Sequence, residues 1–258
     1  MLHTPTSVQV IDADEKVLHS APLTDSRTVF PRPNMFSTGT SPSIAPRNLL
    51  SAIVGATWEA PSVYSFSTEW VVPPLPQRYS GQLLYYFIGL LPPSFDAIIQ
   101  PVLQYGVSAA GGGAFWSVGS WYIVGSNAYY TNVTTLPAGT LSVEAFIINN
   151  DDFLGTPTMH AWYSVFEFNQ ASGLNIQTPE VFNWAYEALE IYNATTFQNL
   201  PDTTTNMQHI SLATQENKYP SSIGWAVAND TADGITMNVV SSSAVTGALQ
   251  IKYPGELF

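Results

Sequence analysis

The sequence of 258 residues contains no cysteine. Disulfide bonds, thiolate nucleophiles and cysteine-ligated zinc sites are therefore excluded. Charge is also scarce, because charged residues make up 10% of the chain, and 7 basic residues against 19 acidic ones give a formal net charge of −12. A surface of this sign repels phosphate backbones, so nucleic acid is not an expected partner.

Long hydrophobic runs are absent as well. The apolar run at residues 83–91 is far shorter than the ~20 residues that a transmembrane helix needs, and the stretch MLHTPTSVQVIDADEK lacks the basic and apolar regions of a secretory signal. We expect a soluble chain with no membrane partner, while its compartment is left open by these features.

The common catalytic signatures are missing too. The four histidines show no metal-ligand spacing, and no G-x-S-x-G nucleophile elbow occurs. The glycine-rich stretch SAAGGGAF lacks the lysine of a phosphate-binding loop. We therefore expect neither a metal site nor a cofactor.

The first 48 residues differ in composition from the rest. They are polar and proline-rich, and since proline fixes φ and removes a hydrogen-bond donor, they are predicted to form an extended arm. The arm lies over the body or is a removable pro-segment; we favour the first, because a pro-segment that silences an acidic body is expected to be basic. Residues 49–258 are predicted to form one domain.

From Trp58 onward, apolar and polar residues alternate. In YSFSTEWVV, residues 64–72, the large apolar side chains point one way and Ser65, Ser67 and Glu69 point the other. About a dozen such segments follow, separated by turn signals such as LPPS, LPAG and DTADG. The pattern predicts an all-β protein, an antiparallel sandwich or barrel.

One segment, TPEVFNWAYEALEIYN at residues 178–193, breaks the alternation. Its apolar residues recur at helical spacing, whereas Glu187 and Glu190 fall on a polar stripe. Thr178 suits a helix N-cap and Pro179 the first helical position. The segment predicts one short helix near residues 179–192, with both glutamates on a solvated face.

Two glutamines stand in the apolar run IIQPVLQYGV. Strand alternation puts Gln100 and Gln104 on one face, with Leu103 and Tyr105 on the other. A buried unpaired amide costs about 1–3 kcal/mol. The two amides therefore either tie strands together or face a cleft, where an amide can stabilise a developing oxyanion. Pro101 removes a ladder donor and predicts an edge or a bulge there.

The order of motifs resembles the eqolisins, the glutamic peptidases of family G1. The family elements are T-V-P, W-V-G-I-D, I-L-Q-T-G-V, W-Y-x-W-Y-P and A-E-W-I-V-E. The corresponding stretches here read STEWVVPPLP, YYFIGLL, PVLQYGV, FWSVGSWYIV and EALEIYN. The resemblance covers most of residues 55–150. Phe87 replaces the leading tryptophan of the second element, Leu90 or Leu91 its aspartate, and Ile191 the tryptophan after the glutamate.

The resemblance implies a concanavalin A-like β-sandwich of jelly-roll type, whose concave sheet binds the substrate. It implies a catalytic pair of Gln104, which polarises the scissile carbonyl, and Glu190, which acts as general base. It also implies secretion. The substrate-binding residues are then expected to be Gln100, Trp116, Trp121, Tyr122, Phe87 and Glu187, the last being the second choice for the catalytic glutamate.

Three functions stay open, and we favour an enzyme. The first is an acid-active endopeptidase with a polypeptide substrate. The second is a non-peptidase member of the fold that binds or transforms a carbohydrate or an apolar small molecule in an aromatic-rich cleft, because rings stack on sugars and amides bond hydroxyls. The third is a structural or self-associating role, since an aromatic, sparsely charged surface is also typical of a homodimer interface.

Overall fold

A computed structural model describes residues 2–3, 7–11, 16–22, 51–151, 159–214 and 218–254. Within these residues the chain forms β-strands and one short 3-10 helix, Phe197–Asn199, and no α-helix. The strands are β1 (Leu2–His3), β2 (Ser7–Ile11), β3 (Val17–Pro22), β4 (Ser51–Glu59), β5 (Val63–Val71), β6 (Leu83–Leu91), β7 (Ala97–Ser108), β8 (Gly111–Val124), β9 (Asn127–Tyr130), β10 (Thr134–Thr135), β11 (Ser142–Asn149), β12 (His160–Phe166), β13 (Asn169–Thr178), β14 (Trp184–Tyr192), β15 (Thr205–Thr214), β16 (Ala226–Ala228), β17 (Thr236–Ser241) and β18 (Gly247–Lys252).

The strands form two sheets. The ten-stranded sheet has the order β17-β18-β15-β5-β11-β12-β13-β1-β2-β3. The eight-stranded sheet has the order β10-β8-β7-β6-β14-β4-β16, and β9 also pairs with β8. Pairing is antiparallel throughout these residues except between β1 and β13. The predicted antiparallel β-sandwich is confirmed.

The main core lies between the two sheets. It receives every second side chain of the central strands, such as Phe66 and Trp70 of β5 and Tyr86 and Ile88 of β6, all without solvent exposure. The Trp70 and Phe166 rings lie 5.9 Å apart. Burying so many large apolar side chains at about 25 cal/mol per Å² is the main force that holds the sheets together.

A second apolar cluster lies on the outer face of the eight-stranded sheet, away from the other sheet. We call this surface the aromatic face. Its buried members are Phe87, Leu91, Ile98, Val102, Ala110, Trp121, Tyr186 and Ala188, and the partly buried side chains packed against them are Tyr85, Phe95, Ile123, Val133 and Trp184. The eight-stranded sheet is thus apolar on both faces, as expected for a sheet whose outer face is covered or binds something.

The helix predicted near residues 179–192 is wrong. Residues 184–192 form β14, which pairs with β4 and with β6 over nine residues on each side. Because β14 is central and buried on both faces, its residues are nearly all apolar. In such a run the helical spacing of apolar residues carries no information.

Pro101 predicted an edge strand or a bulge. It lies in β7, which is a central strand, so the predicted edge is wrong. The β6–β7 pairing runs from Leu84↔Tyr105 to Phe87↔Val102 and resumes at Leu90↔Ile99. The pairing is thus interrupted at the position where proline cannot donate. The register shift of β7 comes later, between Tyr105 and Gly106 of the β7–β8 pairing.

The N-terminal arm contributes β1, β2 and β3 to one edge of the ten-stranded sheet. Strand β1 joins this sheet through a parallel pairing, Leu2↔Gln177. Residues 23–50 of the predicted arm lie outside the described residues. The division into an arm and one domain, and the removal of the arm, stay predictions. No helix in the described part of the chain is long and apolar enough to cross a membrane.

Candidate functional site

Residues in register on neighbouring strands form rows that cross the aromatic face. One row, which we call the Gln104 row, contains Ser117, Gln104, Tyr85, Glu190 and Ile53, from β8 to β4. Gln104 and Glu190 therefore lie on the same face and in the same row. Their strands are separated by β6, so their backbones are roughly 10 Å apart, twice the strand spacing, and Tyr85 stands between them.

Gln104 is fully buried and its amide hydrogens are both engaged. Its Nε2 donates to the Gly106 carbonyl at 2.8 Å and to the Gly111 carbonyl at 2.9 Å. Two carbonyl acceptors also fix the orientation of the amide, because only the NH₂ group can bond both. The bonds join the end of β7 to the start of β8. Gln104 therefore has the structural role of linking two strands, one of the two roles considered for it from the sequence.

The turn above Gln104 depends on glycine. Gly106 and Gly112 have φ of +108° and +110°. A Cβ on Gly112 would lie 2.2 Å from the Gly106 carbonyl oxygen and 2.4 Å from Gln104 Nε2. Part of the triple glycine of SAAGGGAF thus allows two backbones and an amide to approach closely in a β-hairpin. Ala110 of the same turn packs into the aromatic face.

Glu190 is half-buried on the aromatic face. The Tyr192 hydroxyl donates to its Oε2 at 2.7 Å, and the rings of Tyr85 and Tyr192 are 6.0 Å apart. Burial raises the pKa of Glu190, and the bond from Tyr192 lowers it by less. A carboxyl group with a raised pKa can act as a general acid or base, or hold a ligand hydroxyl.

Glu187, predicted as a substrate-binding residue, does not lie on the aromatic face with Gln104 and Glu190. It lies between the sheets with no solvent exposure, and Thr68 of β5 donates to its Oε1 at 2.8 Å. Its Oε2 has no hydrogen-bond partner among the described residues. Desolvation raises the pKa of Glu187 to about 8, against a smaller lowering by Thr68.

Trp116 and Tyr122, which were predicted to bind substrate, also belong to the inter-sheet core. The Trp116 ring lies 5.5 Å from the Tyr86 ring and 5.3 Å from the Tyr105 ring, both in the core. Neither Trp116 nor Tyr122 can share a face of β8 with Trp121, because residues an odd number apart in a strand point to opposite sides.

The remaining predicted residues, Phe87, Gln100 and Trp121, do lie together on the aromatic face. The Trp121 ring lies 6.0 Å from that of Tyr85 and 4.6 Å from that of Tyr130. At the edges of the cluster, Tyr130 is 38% exposed and Tyr192 37% exposed. The rings of Tyr130 and Tyr192 are therefore open to solvent at the edges of the aromatic face.

Sequence reasoning missed Tyr85, Tyr186 and Thr57. Tyr85 could have been found, since it is two residues before Phe87 and must share its face. Tyr186 could not, because it lies in the segment predicted as a helix. Thr57 follows only from the register of β4 with β14, in which it stands opposite Tyr186.

The fold and the site together define a β-sandwich protein with an aromatic outer sheet face. No family model and no curated protein matches the sequence. The matching solved structures include scytalido-glutamic peptidase with a peptide-based transition-state analog, 12% identical, with 79% of this chain and 98% of that chain covered and a TM-score of 0.49. They also include SCP-B, a member of the eqolisin family of peptidases, in a complex with the tripeptide Ala-Ile-His, 11% identical with the same coverage and TM-score. Both belong to the family whose motif order this chain resembles.

Proposed function

We propose that the protein is a non-peptidase member of its fold and binds a small ligand on the aromatic face. The observation that carries the proposal is the state of Gln104, whose two amide hydrogens are bonded to the carbonyls of Gly106 and Gly111. Because both hydrogens of this buried amide are bonded to backbone carbonyls, it has no donor left for a scissile carbonyl. Its Oε1 has no partner among the described residues, but an amide oxygen can only accept. The exposed and partly buried rings of the aromatic face remain available to bind a ligand.

The chemistry of the face suits a ligand with both apolar and hydrogen-bonding groups. Ligand sites in proteins are mostly apolar and aromatic, with a few placed polar groups that fix orientation. Trp121, Tyr130 and Tyr85 supply the rings, and Glu190 supplies a carboxyl group held by Tyr192. A carbohydrate or an apolar small molecule has the matching groups.

A second candidate function is proteolysis by Gln104 and Glu190. Two observations favour it: both residues lie in one row of one face, and burial raises the pKa of Glu190, as a general acid or base requires. Catalysis by this pair would need the Tyr85 ring to move aside. It would also need the β7–β8 turn to release the Gln104 amide.

A cleavage assay and a binding assay test the two candidates together. We expect wild-type protein at acidic pH to leave an unfolded protein substrate uncut, because the Gln104 amide is engaged. We also expect fluorescence of Trp121, isolated as the difference between wild type and Trp121→Phe, to change on titration with at least one of a neutral oligosaccharide, an apolar dye and a capped peptide.

Cleavage that is lost in Glu190→Gln and kept in Glu167→Gln would establish the second candidate in place of the first. Glu167 is an exposed glutamate in the turn between β12 and β13 of the ten-stranded sheet. Cleavage kept in both Glu190→Gln and Gln104→Ala would exclude the pair. If no probe changes the Trp121 signal, binding on the aromatic face is contradicted.

A further inference from the structure

We propose that a second row of the aromatic face, four residues along the strands from the Gln104 row, is a binding site for a neutral oligosaccharide. This row, the Gln100 row, contains Trp121, Gln100, Gly89, Tyr186 and Thr57, from β8 to β4. The inference rests on the proposed ligand-binding function and names the residues and the ligand class.

The register places the members of the row side by side. Gln100 is opposite Trp121, and the β6–β7 pairs Phe87↔Val102 and Leu90↔Ile99 put Gly89 on its other side. Tyr186 is opposite Gly89 and also opposite Thr57. Four strand spacings separate Trp121 from Thr57, so the row crosses roughly 19 Å of sheet, enough for several sugar rings.

The side-chain polar atoms of the row have no hydrogen-bond partner within the part of the chain that the structure describes. Trp121 Nε1, Tyr186 Oη and Thr57 Oγ1 are buried and form no hydrogen bond within the described residues. Gln100 is 7% exposed, and its amide makes no hydrogen bond to any other described residue. More than nine-tenths of buried polar groups in proteins are paired. Three buried unpaired atoms in one row, together with the Gln100 amide, therefore indicate a site that is completed by a ligand.

The arrangement of these groups separates them from other unpaired atoms of the molecule. The indole nitrogens of Trp70, Trp116 and Trp162 are also unpaired, but they lie in the inter-sheet core among apolar side chains. Gln104 Oε1 is also unpaired and lies on the same face, but in the Gln104 row. Within the described residues, the Gln100 row brings together three such atoms, from β8, β14 and β4. A ligand lying across the strands would reach these atoms and the Gln100 amide once the side chains that cover them rotate.

The chemistry of the row points to a neutral ligand. An indole N–H donates, an amide donates and accepts, and two hydroxyls do both, which is the set that pairs with sugar hydroxyls. The row contains no charged residue, and burial raises the pKa of Tyr186, so its hydroxyl stays protonated. The nearest charges on the same face are the carboxyls of Glu59 and Glu190, which together with the net charge of −12 repel anionic ligands.

Rings and a gap complete the site. Trp121 packs on Tyr130 at one end, and the Tyr186 ring lies 5.9 Å from that of Phe87. Gly89, between Gln100 and Tyr186, has no side chain, and the space above it holds the end of the Ile98 side chain, 2.8 Å from where a Cβ would lie. The Cδ1 end of Ile98 and the partly buried Tyr85 ring are the groups that would rotate to admit the ligand.

Isothermal titration calorimetry with neutral tetrasaccharides, maltotetraose and cellotetraose, tests the inference, with tetragalacturonate as an anionic comparison. We expect at least one neutral tetrasaccharide to bind, with a Kd insensitive to salt because the row has no charge. Tyr186→Phe and Gln100→Leu should each weaken binding about fivefold to tenfold, the value of one hydrogen bond. Tyr163→Phe, which removes a hydroxyl from the other sheet, is the matched control and should bind as wild type.

Thermal unfolding accompanies the titration. Tyr186→Phe should be as stable as wild type or more stable, because it deletes an unpaired buried hydroxyl, so a loss of affinity cannot be ascribed to misfolding. Sugar binding that is unchanged in Tyr186→Phe and Gln100→Leu would overturn the row as the site and leave the proposed function standing. The same holds if no tetrasaccharide binds while an apolar dye or a capped peptide changes Trp121 fluorescence. Failure of every probe would overturn both.

Discussion

Raising the pH from about 4.5 to about 7 lowers the free energy of unfolding by roughly 3 kcal/mol through Glu187 alone. The pKa of this carboxyl is about 8 in the folded protein against an ordinary value of 4.5. Between these values the unfolded chain has released the proton and the folded protein still holds it, so each rise in pH favours unfolding. Below about 4.5 both states are protonated and the penalty disappears.

Chemical denaturation at a series of pH values measures this effect. The quantity to compare is the free energy of unfolding of wild type minus that of Glu187→Gln at each pH. The substitution keeps the shape of the side chain and removes its proton equilibrium, so the difference in unfolding free energy should change by the predicted amount across the pH range. The matched control is Glu59→Gln, at an exposed position of the adjacent strand β4. Its free energy of unfolding should change with pH as that of wild type does. If the unfolding free energy of Glu187→Gln shows the same dependence on pH as that of wild type, the burial of the Glu187 carboxyl between the sheets is contradicted.

Gly112→Ala is expected to destabilise the protein by about 3 kcal/mol or more. A non-glycine residue at φ of +110° is strained by about 1–3 kcal/mol. The added Cβ also meets the Gly106 carbonyl oxygen at 2.2 Å, and since that atom is backbone, the turn must open. The movement breaks the bonds from Gln104 Nε2 to Gly106 and Gly111.

Gly139→Ala separates strain from overlap. Gly139 also has a positive φ, +84°, but a Cβ there would find no atom within 4 Å. We expect a loss of about 1 kcal/mol for this variant, measured by denaturant titration beside Gly112→Ala. Equal losses in the two variants would mean that backbone strain alone acts at Gly112, and that the contact with Gln104 contributes nothing.

The alternation of side chains between the two faces of a strand explains what the sequence could predict about the site. Gln100 and Gln104 are four residues apart, and both do lie on the aromatic face. The same rule, applied to Trp116 and Trp121, would have separated them, since they are five apart. Alternation therefore assigns faces within one strand, whether or not the fold is known.

The sequence could not predict which residues stand opposite one another on neighbouring strands. Which residue stands opposite Gln100 depends on the register of β6 and β14, and register is set by the packing of the whole sheet and by turn geometry. The error at β14 had a related cause. Glu187 and Glu190 are three residues apart, which suits one stripe of a helix, but in a strand the odd separation sends one carboxyl into the core and the other to the aromatic face.

Because the Gln100 row crosses five strands, ligand binding there requires the folded sheet. Its members come from distant parts of the chain, from Thr57 in β4 to Tyr186 in β14, so no local segment can assemble the site. Pairings of this separation are slow to form, and the site becomes competent only when all five strands have joined. Ligand affinity is then a direct reporter of the completed sheet, and saturating ligand raises the melting temperature by mass action.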